Sequence, residues 1–172
     1  VLLEQGKGIS QDIGAAAGGY EKAARQQVWE AQVNLGLLLI AGEGLEKDPA
    51  KAAEWFQQAA NLGIADGQIN LGQLYLRGLG VDRNPTVAAR WFRLAAQQGH
   101  GLAQYLLAEL YREGNGVPQS VEEAYFWSKL ATNDGAAPHA SAARVLAERM
   151  EQQLDPEQLL RLKRRHFGCQ PR

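Results

Sequence analysis

Only one cysteine, Cys169, occurs in the 172 residues, which excludes an internal disulfide and any metal site built from several cysteines. Neither sign of charge is in excess. The formal net charge is −1, which gives no reason to expect a nucleic acid or an acidic membrane surface as partner. Long apolar runs are missing as well. The longest, Leu35–Ala41, falls short of the roughly 20 residues a membrane helix needs and is interrupted by Gly36, so no transmembrane segment is expected. The three histidines, His100, His139 and His166, stand on separate stretches, and none forms the His-x-x-x-His pair of a zinc hydrolase. Cys169 has neither a glycine-rich elbow nor an ordered histidine beside it. A nucleophile needs a base within hydrogen-bond reach, so Cys169 reads as an exposed tail residue. No acid, base and nucleophile come together, and the expectation is a chain that is not an enzyme and carries no catalytic residue, metal or cofactor. The sequence opens at Val1 rather than at a methionine and reads as a trimmed piece. Whether a signal peptide or further repeats precede Val1 stays open, and so does the compartment.

What the chain has in abundance is itself. Leu35-Gly36 returns as Leu71-Gly72 and Leu107-Ala108, each 36 residues after the last. Gly42-x-Gly44-Leu45 returns as Gly78-x-Gly80-Val81 and Gly114-x-Gly116-Val117, and Trp55 as Trp91 and Trp127. A fixed period between roughly 20 and 50 residues is the mark of a solenoid, whose units touch mainly their neighbours.

Each unit reads as two helices. The first carries apolar residues at i, i+4, i+8: Ala31, Leu35, Leu39, then Gly67, Leu71, Tyr75, then Ala103, Leu107, Tyr111. Gly36 and Gly72 lie inside these helices, which points to close approach of a packing partner. The Gly-x-Gly turn ends the helix with residues that take positive φ at little cost. Asp48-Pro49, Asn84-Pro85 and Ser120-Val121 then open the second helices with good N-caps, and Ser120 with Glu123 spells a capping box. The repeating Trp and Tyr positions read as core. Gly63, Gly99 and Gly135 close the second helices.

The ends follow the same frame less faithfully. Gly6, Gly8, Asp12, Ala23 and Ala24 match the period, so residues 1–27 predict a turn at Gly6-Lys7-Gly8-Ile9 and a second helix from about Asp12. Gln27 stands where the closing glycine belongs, and Gly14, Gly18 and Gly19 make this the least stable helix expected. A fourth first helix follows Pro138 and runs to about Gln153, because Met150 replaces the turn glycine. A last helix, from Glu157 to about Arg165, starts acidic and ends basic, which suits the helix dipole and a terminal cap. Its run Arg161-Leu162-Lys163-Arg164-Arg165-His166 reads as a solvated helix end, or else as a contact for an acidic partner, an anionic lipid or nucleic acid, the last disfavoured by the lack of an aromatic stacking platform beside it.

The string is clearest in GQINLGQLYLRGLGVDRNPTVAARWFRLAAQQG, residues 67–99, and it resembles the Sel1-like repeat, a tetratricopeptide-related family. The resemblance covers roughly residues 1–150. It implies an all-α, right-handed α/α solenoid of helix–turn–helix repeats with a C-terminal capping helix. One domain over 1–172 is expected: a partial repeat at 1–27, repeats at about 28–63, 64–99 and 100–135, and a partial repeat with the capping helix at 136–172. It further implies a non-catalytic scaffold or adaptor that binds another protein or peptide, in the bacterial cytoplasm, periplasm or cell envelope. An accessory or regulatory subunit of an envelope or polysaccharide assembly complex is the alternative. Relatives with a disulfide-forming cysteine pair in every repeat form a subfamily to which this chain, with one cysteine, does not conform.

If the first helices line a concave face, the positions outside the Ala/Leu/Tyr stripe meet the partner. Those are Asn34, Leu37, Asp66, Ile69, Asn70, Gln73, Arg77, Tyr105, Glu109, Arg112 and Glu113. Asn34 and Asn70 are equivalent by period, and their amides can bond a peptide backbone. Tyr and Arg are residue types enriched in interface hot spots. Self-association through the exposed terminal repeats is also expected.

Overall fold

The computed structural model describes residues 16–134 and 137–167; of Asp134, His166 and Phe167 only the backbone is described. All regular structure in this part is helical. Helix α1 covers 16–25, followed by α2 (Trp29–Ala41), α3 (Pro49–Asn61), α4 (Ala65–Arg77), α5 (Pro85–Gln97), α6 (Gly101–Glu113), α7 (Val121–Ala131), α8 (Pro138–Glu151) and α9 (Pro156–Phe167). A short 3₁₀ turn, Thr132–Asp134, follows α7. The turn expected at Gly6-Lys7-Gly8-Ile9, the helix start at Asp12 and the residues Gly14, Gly135 and Cys169 lie outside the described residues. The chain forms two compact units, one ending at Asn84 and the other beginning at Pro85.

The turns are built as the glycines predict. Gly42, Gly78 and Gly114 end α2, α4 and α6 with φ of 76°, 71° and 68°, a conformation that L side chains with a Cβ adopt only at a cost. The second glycine of the turn has a different reason. A Cβ on Gly80 would lie 2.5 Å from the amide nitrogen of Ala50, and one on Gly116 would lie 2.6 Å from that of Thr86. Only a bare backbone can rest on the start of the preceding second helix. The N-cap amide then closes each turn: Asp48, Asn84 and Ser120 N–H donate to the carbonyls of Leu39, Tyr75 and Tyr111 at 2.8–2.9 Å.

Helix starts follow the expected caps, with one change. Asp48 Oδ1 accepts from Lys51 N–H at 3.0 Å, and Ser120 Oγ from Glu123 N–H at 3.2 Å. The capping box expected at Ser120 is only half made. Its return bond is absent because the Ser120 amide is taken by Tyr111 and the Glu123 carboxylate turns to Trp127 Nε1 instead. A complete box stands at α9, where Asp155 and Gln158 exchange both bonds at 2.8 and 2.9 Å. Helix α8 ends at Glu151, two residues before the expected Gln153.

In unit 1, α2 packs on α3 and α3 on α4; in unit 2, α5 packs on α6, α6 on α7, and α7 on both α8 and α9. Leu35, Leu71 and Leu107 are buried, as are Ala52, Ala88, Ala124, Ala59, Ala95 and Ala131. The aromatic core differs from the expectation. Trp55 and Trp91 are half-exposed, and the residues that follow them, Phe56 and Phe92, are 1% and 0% exposed. Adjacent positions on a helix lie about 100° apart, so a recurring Trp-Phe pair can send only one ring inward. In the third copy the inward position is Ser128, and Trp127 is buried edge-to-face against Phe126.

Three buried glutamines also recur with the period. Gln32, Gln68 and Gln104 each send Nε2 back to a carbonyl eight residues earlier, that of Ala24, Ala60 or Ala96, at 3.1–3.4 Å. They tie each first helix to the end of the second helix before it, adding a second hydrogen bond to a carbonyl that already accepts the backbone N–H of Gln27, Gly63 or Gly99.

Candidate partner-binding faces

The polar positions of α4 form one line. Asp66, Asn70, Gln73 and Arg77 stand at i, i+4, i+7 and i+11, a single helical face. Asp66 and Arg77 are exposed, and Asn70 and Gln73 half-buried. Asn34 occupies on α2 the place Asn70 has on α4 and is likewise half-buried. The amide pair does not continue, because the third equivalent is Leu106.

Ile69 does not belong to this line. It is 3% exposed and sits in the core of unit 1. Position 69 falls one residue from Asn70, and a helical step of about 100° turns it off the polar line. The expectation that Ile69 meets a partner is therefore corrected.

On α6, Tyr105, Glu109 and Arg112 stand at i, i+4 and i+7 and are all half-buried. Arg112 Nε donates to Glu109 Oε2 at 2.8 Å, and its terminal nitrogen reaches Glu113 as well. The carboxylate hydrogen-bonded to it holds the Arg112 guanidinium more firmly protonated than usual. Burial, followed by the negative charge of Glu109, pushes the Tyr105 hydroxyl above the ordinary tyrosine range. The result is a fixed cluster of one phenol, one guanidinium and two carboxylates on the surface of unit 2.

Two further features mark the surface. Trp29 and Leu37 on α2 are exposed at 38% and 45%, although both sit in a helix with a buried stripe. The exposed position of Leu37 agrees with its sequence assignment to the partner-facing side of α2, whereas that of Trp29 was not legible beforehand. The basic end of α9 is partly consumed within unit 2. Arg161 pairs with Glu122 at 2.6 Å, Arg165 pairs with Glu123, and the Arg165 guanidinium lies 4.0 Å from the Phe126 ring centroid. With Leu162 buried, α9 is a cap clasped to the acidic first turn of α7. Lys163 and Arg164 remain exposed.

Among the described residues no group of three or more His, Cys, Asp or Glu is placed to hold a metal ion. His100 precedes α6 and His139 lies in the first turn of α8, both half-exposed; Cys169 and the His166 side chain lie outside the described residues. No described helix is long and apolar enough to cross a membrane.

The Sel1 repeat family matches the sequence four times, at residues 1–28, 29–64, 65–100 and 101–135. The chain belongs to the Sel1 repeat family. The helix pairs and the C-terminal capping helix are those of the all-α Sel1-like solenoid expected from the sequence. Among solved structures it is similar to c5321, a protective antigen of uropathogenic Escherichia coli strains displaying an SLR fold, with 33% identity and a TM-score of 0.80. That alignment covers 90% of this chain and 32% of c5321. A Sel1 repeat protein from Oxalobacter formigenes is 31% identical with a TM-score of 0.63, over 72% of this chain and 56% of that one. This chain thus spans about a third of the first and just over half of the second. Cysteine rich protein B of Helicobacter pylori shares the fold at 20% identity, with a TM-score of 0.60, over 78% of this chain and 96% of that one. Comparison with curated proteins gives no match. Sel1 repeat proteins generally mediate protein–protein interaction, and the family is generally non-catalytic.

Proposed function

We propose that this chain is a non-catalytic scaffold that holds a partner protein on the polar faces of its first helices. The observation that carries the reading is the line Asp66, Asn70, Gln73 and Arg77 on α4. Its side chains offer a carboxylate, two amides and a guanidinium along one exposed face of a helix whose opposite face is buried in α3. Such a row can bond both the donors and the acceptors of a peptide backbone and pair with charges of either sign. Asn34 on α2 extends the face in unit 1. In unit 2 the cluster of Tyr105, Glu109 and Arg112 offers a half-buried aromatic anchor within a fixed set of charges, the composition that interface hot spots favour.

The test is capture with cross-linking from the native cell, comparing wild type with Asn70→Ala/Arg77→Ala and with Tyr105→Ala. The reading predicts a protein captured by wild type and lost or depleted about tenfold or more with either variant, at unchanged helical content; that corresponds to about 1.4 kcal/mol or more. The same proteins in the same amounts from all three would refute it.

A further inference from the structure

The repeat lays one pattern over α2 and α6 and completes it only in the second. In unit 2, Tyr111 of α6 is buried. Its hydroxyl takes a hydrogen bond from the Arg93 guanidinium of α5, which also stands 5.8 Å from the ring centroid. The equivalents 72 residues earlier in unit 1 are Leu39 and Glu21. Both members of the couple have changed, and a pocket of about 480 Å³ lies at that place. Leu35, Leu39 and Leu45 give it apolar walls; Glu21, Asp48 and Lys51 stand around it.

We infer that this pocket is a socket for a tyrosine side chain presented by a partner protein. The inference rests on the protein-binding reading above and names a contact separate from the α4 face. The shape follows from the repeat: leucine in place of tyrosine removes a ring and an oxygen, and the same fold in unit 2 accommodates both. The chemistry follows from the exchange of Arg93 for Glu21. Arg93 donates to a phenol oxygen, whereas a carboxylate only accepts, so the incoming group must bring a donor of its own, which the phenol O–H supplies. Arg25, hydrogen-bonded to Glu21 at 2.8 Å, holds that carboxyl below its usual range. Phenylalanine would leave Glu21 without this donor. The rim carries charges of both signs, Glu21, Glu46 and Asp48 with Lys47 and Lys51, so the preference for tyrosine over a cationic side chain rests on the three leucine walls and on the place Tyr111 fills in unit 2.

The test is a titration of the ¹⁵N-labelled chain with N-acetyl-L-tyrosinamide, followed by amide shifts. The socket predicts saturable shifts centred on residues 21, 35, 39 and 45, and several-fold weaker binding of N-acetyl-L-phenylalaninamide. Glu21→Gln, a change on a half-exposed position of α1, weakens the tyrosyl probe several-fold with the circular dichroism unchanged. Leu39→Tyr/Glu21→Arg rebuilds the couple of unit 2 inside unit 1 and abolishes the shifts. Equal binding of the phenylalanyl probe, tighter binding of N-acetyl-L-argininamide, no saturable shift at these residues, or shifts that persist in the refilled variant would each overturn the socket. Capture that is lost in Asn70→Ala/Arg77→Ala but unchanged in Leu39→Tyr/Glu21→Arg overturns the socket alone and leaves the scaffold reading standing. Saturable probe binding with no protein captured by wild type overturns both.

Discussion

Gly36→Ala is a small change with a large local consequence. The added Cβ would lie 2.7 Å from Phe56 Cζ and 2.9 Å from Cδ1, and closer still to Cε1. Ordinary carbon contacts fall near 3.5–4.0 Å, so the overlap is about 1 Å. Phe56 is fully buried between α2 and its own helix α3 and cannot swing into solvent to make room. Overpacking of this kind costs about 1–3 kcal/mol. Against it stands the helix propensity of alanine over glycine, worth about 1 kcal/mol. With three ring atoms in the way, we expect a net loss of about 1–2 kcal/mol, read as a lower midpoint in urea unfolding followed by circular dichroism. The informative measurement is the double-mutant cycle with Phe56→Leu. Once the ring is gone the alanine fits and contributes its helical preference, so the two changes together cost less than their sum, by about 1–3 kcal/mol of coupling. The chain has already made this pair of changes itself. At the equivalent places of the third copy stand Ala108 and Ser128, both fully buried. A Gly36→Ala variant as stable as wild type, or strictly additive effects, would refute the packing argument.

Gln27 holds φ of 64°, the conformation its equivalents Gly63 and Gly99 hold as glycines, so Gln27→Gly is expected to raise stability by about 0.5–1 kcal/mol, checked by the shift in urea midpoint. Gln104→Leu removes the bond from the side-chain amide to the Ala96 carbonyl, which keeps the Gly99 N–H, and should cost about 0.5–1.5 kcal/mol by the same measurement; a neutral effect would mean the glutamine ladder is incidental. Glu123→Gln weakens the bond to Arg165 and with it the hold on α9. Faster hydrogen exchange confined to α9, with a global loss under about 1 kcal/mol because the pair is exposed, is the expected outcome. The raised Tyr105 hydroxyl keeps its proton to higher pH folded than unfolded. The stabilisation is whole below the unfolded tyrosine value, near 10, and declines as pH rises through the folded value; Tyr105→Phe should flatten that alkaline loss in a pH series of unfolding midpoints.

Much of the fold was readable because repetition turns weak local signals into strong ones. One Gly-x-Gly is a turn among many; three at a fixed spacing, each followed by Asp, Asn or Ser as a helix cap, mark the ends of α2, α4 and α6 and the starts of α3, α5 and α7. The period was less able to say which side of a residue faces inward. Trp55 and Phe56 recur together, and only the structure separates the half-exposed ring from the buried one. Ile69 beside Asn70 is the same problem, one helical step between core and surface. Gln32, Gln68 and Gln104 repeat as strictly as the leucines, but a polar residue in a helix suggests solvent until its carbonyl partner is seen. Glu123 spelled a capping box, and its carboxylate is drawn instead to Trp127 on its own helix and Arg165 from 42 residues away. Sequence spacing alone carries no signal for a competitor that distant. Of the polar line on α4, the positions were legible from helical spacing, whereas the pocket beside Leu39 became visible only once Tyr111 and Arg93 were seen together in unit 2.

The most direct test of the scaffold reading is a hydrogen-exchange footprint of the chain with and without its captured partner. The account predicts slowed exchange and protection on α4, residues 65–77, and on α6, residues 101–113, with α3 and α5 unchanged. Protection confined to the second helices or to α9, with α4 and α6 exchanging as in the free chain, would contradict it.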